Sequence, residues 1–177
     1  LGVGIKEQGY KPGLQPKANY YAVKVPVFSF EKLHNVDTHL GPEMKSTGEV
    51  LGIADNFKDA LLKGLVASGY KIKHKGGVLI TGRNQDKQEI IPIAQKFSDA
   101  GFDLYATAGT ANVLNKNMIA TNAVRKIGEG EPNIVTLLES GKIDYCISTS
   151  AKGRQPTRDS VKIRRKTVER SIPCLTA

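Results

Sequence analysis

From Asn56 onward the chain alternates two hydrophobic periodicities, and this alternation constrains its fold more than any other feature. FKDALLKGLV (Phe57–Val66) places Phe57, Leu61, Leu62 and Leu65 on one helical stripe. Val78–Thr81 reads as a buried strand. Asp86–Ala100 sets Ile90, Ile93, Ala94 and Phe97 on one face and is expected to be helical. Gly101 suits its end, and Pro92 leaves its start open. Phe102–Ala106 is then a strand, Ala111–Lys116 a short helix and Ile119–Val124 a strand. Asn133–Glu139 is a helix closed by Gly141, Ile143–Ile147 a strand, Thr157–Arg170 a basic helix and Ile172–Leu175 a last strand. Strands alternating with helices imply right-handed crossovers on a mainly parallel sheet, hence a three-layer α/β domain. A covering helix normally follows such a last strand, so the domain is expected to be clipped.

Residues 1–50 differ. Lys11-Pro12-Gly13 and Leu40-Gly41-Pro42 read as irregular turns around one good strand, Tyr20–Phe30. Such a segment is too small for its own core and is expected to finish a larger domain upstream. The domain boundary is therefore drawn at 50/51, and the chain, which has no initiator Met, reads as a fragment. Its 177 residues suit one ordinary domain plus an extra segment, and 40% hydrophobic residues suffice for a packed core. No run approaches the roughly 20 apolar residues of a membrane helix, and no secretory leader is visible. A cytoplasmic protein is expected. Cys146 and Cys174 sit in apolar strand-like runs without a second Cys or a His at ligand spacing. Buried reduced thiols are favoured over a disulfide or a metal site. His34, His39 and His74 are scattered, and no metal is expected there.

The net charge of +9 is uneven. Residues 1–50 carry six Lys against five acids, whereas residues 151–170 carry eight Lys or Arg against Asp159 and Glu169. Such a cluster favours an anionic partner. With only 6% aromatic residues and no basic–aromatic interleaving, a single-strand nucleic-acid platform is disfavoured.

In open α/β sheets ligands bind beyond the carboxyl ends of the strands. Gly82, Arg83, Asn84, Asp86 and Lys87 follow the first buried strand; Thr107, Ala108, Gly109 and Thr110 follow the next. Arg125 and Lys126 follow the third, and Ser148, Thr149, Ser150, Lys152, Gly153 and Arg154 the fourth. A phosphate needs backbone N–H groups at a helix start, short hydroxyls and one or two ammonium groups. Thr107 to Thr110 offer the first two, Lys87 and Lys126 the ammonium groups, and Ser148, Thr149 and Ser150 a second hydroxyl wall. Each piece has an ordinary reading as a cap, a turn former or a solvated lysine. Their agreement at one sheet edge is what favours an anion, and weakly a monophosphate. The P-loop pattern G-x-x-x-x-G-K-S/T is absent. No catalytic set is evident: there is no nucleophile elbow, and Asp86 and Asp159 are not obviously paired.

LGPEMKSTGEVLG (Leu40–Gly52), with YYAVKVPVFSFEKL before it, closely resembles the stretch that closes the second ATP-grasp half of carbamoyl-phosphate synthase large chains. QDKQEIIPIAQKF, GFDLYATAGTANVL, KIGEGEPNIVTLLESGKIDYCISTS and VKIRRKTVERSIPCLT resemble the methylglyoxal-synthase-like domain that ends those chains. The resemblance implies 1–50 as the tail of an ATP-grasp domain and 51–177 as an allosteric domain. It implies no catalytic residue and no cofactor in this segment; ATP and Mg (or Mn, K) belong to the intact ligase, which draws ammonia from glutamine through a small glutaminase subunit. The product serves pyrimidine and arginine synthesis. Lys87, Thr107, Gly109, Thr110, Lys126, Thr149 and Ser150 fall on effector-phosphate positions for a UMP- or IMP-class nucleotide. Ser148 stands where some members have Asn, and Asp159 falls at the base or ribose end. Members activated by ornithine have a Glu where this chain has Val25, which implies weak or absent ornithine activation.

Two rivals remain. A free-standing methylglyoxal synthase shares the fold but needs catalytic carboxylates and a His in its strand-end loops, whereas SAKGRQPTRDS has no His. A nucleic-acid binder would use the basic helix, and gel shifts at physiological salt would reveal it.

Overall fold

The computed structural model describes residues 2–30, 41–149 and 159–176. Ser150, the expected start of the last helix at Thr157, His34 and His39 lie outside them. The chain divides into two compact units, one of residues 1–27 with 48–69 and one of residues 28–47 with 70–177.

In the first unit β1 (Tyr21–Val27) pairs antiparallel with β2 (Gly48–Ala54), and α1 (Phe57–Ala67) packs on both. Val23 and Val25 are half-buried, alternating with exposed Ala22, Lys24 and Pro26, as expected of a sheet covered on one face. Opposite Val23 stands Gly52, which is buried. A Cβ on Gly52 would lie 2.0 Å from the Ala60 carbonyl oxygen and 2.5 Å from the Gly64 nitrogen, so helix and strand touch backbone to backbone. The start of α1 is fixed by Asn56, whose side chain accepts from the Asp59 N–H at 3.0 Å. The strand β2 is absent from the sequence expectation, and the boundary drawn at 50/51 falls inside it.

The second unit is built on a five-stranded sheet. Its strands are β3 (Gly77–Thr81), β4 (Asp103–Thr107), β5 (Thr121–Val124), β6 (Ile143–Ser148) and β7 (Cys174–Thr176). Their order is β5-β4-β3-β6-β7, and every pairing is parallel. The connecting helices are α2 (Lys87–Asp99), α3 (Ala108–Lys116), α4 (Ile134–Glu139) and α5 (Asp159–Glu169). The expected three-layer α/β class is the one observed.

Central β3 explains the layering. Gly77 to Ile80 are all buried, and successive side chains face opposite ways. Val78 and Ile80 pack with Ile90 and Ala94 of α2 and Ala111 and Leu114 of α3. Leu79 packs on the other face with Ile134 and Leu138 of α4 and Ile163 of α5. Each fully buried Leu or Ile of this kind contributes about 1.5–3 kcal/mol. Pro92 lies within α2 on its exposed side without ending the helix, and it leaves the Gln88 carbonyl without its i→i−4 donor.

Helix α4 has only six residues, and its cap matters accordingly. Asn133 accepts from Val135 N–H at 2.8 Å and Thr136 N–H at 3.4 Å. Asn133→Ala should cost about 1 kcal/mol, read as a lower urea midpoint at unchanged slope.

Candidate anion site at the carboxyl edge of the sheet

The register sets the site. Ile80 pairs with Ala106 on one side and Ile147 on the other, and Thr81 pairs with Ser148. Thr107 pairs with Val124. Thr81, Thr107, Val124 and Ser148 therefore end their strands at one edge, and the residues that follow them share it.

Two groups form there. The first is at the start of α3. Thr107 takes the N-cap position, with φ −60° and ψ 150°, but its hydroxyl caps nothing. The N–H groups of the first turn thus lack the side-chain partner that Asn56 and Asn133 give α1 and α4. Ala108 and Gly109 are exposed there. Thr110, one residue further, is only 1% exposed, and its hydroxyl has no hydrogen-bond partner. Lys87 reaches across from the first turn of α2. A Cβ on Gly109 would lie 3.1 Å from the Lys87 ammonium nitrogen, so the ammonium rests close against the helix start and a methyl there would push it back by a few tenths of an ångström. Lys87 is half-buried and makes no ion pair with any described residue. A positive helix end and an ammonium meet there, with an unpartnered hydroxyl in the same helical turn, and no described carboxylate pairs with Lys87.

The second group joins β3 to β6. The Thr81 hydroxyl lies 3.0 Å from the Ser148 hydroxyl oxygen, and the Thr149 N–H donates to the Thr81 carbonyl at 2.9 Å. The Thr149 hydroxyl oxygen accepts from the Arg83 N–H at 2.9 Å. The Arg83 guanidinium grips Asp86 through two bonds, of 2.6 and 3.1 Å. That guanidinium first, and then Thr149, hold the Asp86 carboxyl below its ordinary value. A carboxyl depressed in this way adds stability above its unfolded pKa and loses it as pH falls through the lower folded value. Asp86 is thus ionised at neutral pH but neutralised by Arg83, and Lys87 beside it stays uncompensated.

Lys87, Thr107, Gly109 and Thr110 come together. Ser148 and Thr149 stand at the same edge with their hydroxyls turned to β3 and Arg83. Lys126 follows β5 at this edge, yet its ammonium is 4.0 Å from Glu129 and its side chain is 58% exposed. Asp159 opens α5, whose first turn belongs to the carboxyl side of the sheet by the parallel crossover to β7. No ion pair between described residues joins Asp159 to Lys87, and the partner of the Lys126 ammonium is Glu129. The Arg83–Asp86 clasp was not singled out from sequence, where both were only residues following a strand; their i, i+3 spacing was its one signal. His74 precedes β3 and so belongs to the opposite edge. Among the described residues no group of three His, Cys, Asp or Glu is placed to hold a metal ion. No helix among them is long and apolar enough to cross a membrane. An open cleft of about 570 Å³ lies in the first unit, lined by Asn56, Asp59 and Lys63 among others. Its polar groups serve each other or the backbone: Asn56 bonds Asp59, and Lys63 donates to the Ile53 carbonyl.

Residues 89–176 match the family model of the MGS-like domain. The matched segment takes in α3 with Gly109 and Thr110, together with Lys126, Ser148 and Thr149, and begins two residues after Lys87. A similar solved structure is methylglyoxal synthase from Elizabethkingia anophelis NUHP1, 16% identical over 60% of this chain and 74% of that chain, with a TM-score of 0.49.

Proposed function

We propose that the carboxyl edge of β3, β4 and β6 binds the phosphate of a nucleotide monophosphate of the UMP or IMP class. On this reading the chain is the regulatory end of a carbamoyl-phosphate synthase large subunit, with upstream ATP-grasp domains and a glutaminase small subunit as its partners. ATP and its metal ions belong to those domains. The observation that carries the site is the Lys87 ammonium against Gly109, at a helix start left without a capping side chain. The Thr110 hydroxyl in the same turn is buried without a partner, a donor that a phosphate oxygen would satisfy once the turn opens to admit it. Regulation follows from linkage: a nucleotide that prefers one conformation shifts the enzyme by the difference in its two affinities. The family assignment rests on the sequence resemblance.

A melting panel with UMP, IMP, AMP and inorganic phosphate tests the site, because a ligand of the folded form raises the midpoint. A rise with inorganic phosphate and a larger one with UMP or IMP are expected. No rise with any of them at millimolar concentration refutes the phosphate site. Measurable methylglyoxal from dihydroxyacetone phosphate would replace the regulatory reading by a lyase. Thr110→Val separates binding from folding. An unpaired buried hydroxyl costs about 1–3 kcal/mol, so the variant should melt no lower than the parent without ligand. Its phosphate-induced shift should shrink.

A further inference from the structure

Cys146 in β6 and Cys174 at the start of β7 are direct partners across a parallel ladder. The Cys146 N–H donates to the Pro173 carbonyl at 2.9 Å, which locks this register. Neighbouring strands run about 4.8 Å apart, inside the window of about 4.4–6.8 Å between Cα atoms that a disulfide accepts. Both thiols are free.

Their surroundings differ. Cys146 is fully buried, whereas Cys174 is half-buried. Helix α5 brings Thr167 against the Cys174 sulfur and Arg164 close to it. The Arg164 Nε is buried with no hydrogen-bond partner, and Arg164 forms no ion pair with a described residue. The Cys146 contact first, and then Thr167 and Arg164, lower the Cys174 thiol against the opposing effect of burial. The contact with Cys174 and burial raise that of Cys146. The half-buried cysteine on the edge strand is the one an external reagent can approach, and the fully buried one waits beside it.

We propose that Cys174 and Cys146 form a thiol–disulfide exchange site for low-molecular-weight disulfides, with Cys174 as the attacking and Cys146 as the resolving thiol. The Cys174 thiolate attacks one sulfur of R–S–S–R; that bond breaks, and the departing thiolate takes a proton from water to become R–SH. Cys146 then gives its proton to solvent and attacks the Cys174 sulfur, releasing the second R–S⁻, which is protonated in turn. The two protein thiols are oxidised, and one external disulfide is reduced to two thiols. The product would tie the edge strand β7 to β6 two residues before Ser148.

The test incubates the reduced 177-residue chain with bis(2-hydroxyethyl) disulfide, blocks remaining thiols with iodoacetamide and reads intact mass and linked peptides. The expected result is loss of both free thiols, a mass lower by two hydrogens and a peptide joining Cys146 to Cys174. Cys146→Ala should instead keep a stable mercaptoethanol adduct on Cys174, and Cys174→Ser should leave Cys146 unreacted while folded. Should either variant fail to fold, the parent still decides. Its Cys174 should alkylate about tenfold faster than Cys146 when folded, with the difference lost in urea. Two alkylatable thiols after incubation, a stable mixed disulfide on the parent, or equal alkylation rates would each overturn the proposal.

Discussion

Lys87→Met should weaken phosphate binding by about 10- to 100-fold, which is what losing one charge-assisted hydrogen bond entails. Without ligand the variant should melt close to the parent, because the Lys87 ammonium meets no carboxylate that it would leave unpaired. Calorimetric titration with inorganic phosphate is the direct measurement. Lys87→Arg should rescue only part of the affinity, since a planar guanidinium does not replace a compact ammonium lying 3.1 Å from the position of a Gly109 Cβ. Affinity unchanged in Lys87→Met would remove Lys87 from the site and leave the start of α3 without its cation.

The second large effect is structural. Gly52→Ala should cost about 3 kcal/mol or more, toward the upper end of overpacking penalties. Its methyl would meet the Ala60 carbonyl oxygen and the Gly64 nitrogen, which are backbone atoms and cannot rotate aside. Accommodating it means lifting α1 off β2. Hydrogen exchange should report this as lost protection of the α1 amides, and unchanged protection would show that the close approach is not required. By contrast Gly48, at the start of the same strand, has nothing within 4 Å of its Cβ position, so Gly48→Ala should be nearly neutral and serves as the control.

These two glycines also show where sequence reasoning stops. The strands β3, β4 and β6 were legible because each is an apolar run of strand length, buried in a parallel sheet. In β2, GEVLGIA, the inward positions are Val50, Gly52 and Ala54, too small to write a hydrophobic alternation. What makes it a strand is the helix that lies on it, which is a tertiary fact. Helix α3 begins at Ala108, three residues earlier than its apolar pattern suggests, because its first turn faces solvent around Gly109.

The candidate site divides in the same way. Lys87, Thr107, Gly109 and Thr110 were legible as residues beyond strand ends, since topology alone sends them to one edge. Which way each side chain turns was not legible. The Ser148 hydroxyl oxygen accepts from the Thr81 hydroxyl on the neighbouring strand, a choice fixed by register. Lys126 faces Glu129, a carboxylate three residues on that competes with any distant anion. The unpartnered state of the Thr110 hydroxyl could be seen only once the helix around it was built.

The strand order has a consequence for what can change. The chain winds from β3 outward through β4 to β5, then crosses to the other flank of β3 and winds outward again through β6 to β7. The helix leaving β3 covers one face, and the one between β6 and β7 covers the other. The chains leaving β3 and β6 therefore head for opposite faces, although Thr149 still holds their first residues together by accepting from the Arg83 N–H and donating to the Thr81 carbonyl. That reversal is a product of winding and owes nothing to the identity of the residues at the edge. Loop substitutions can change the chemistry of that edge while the packed layers beneath stay as they are.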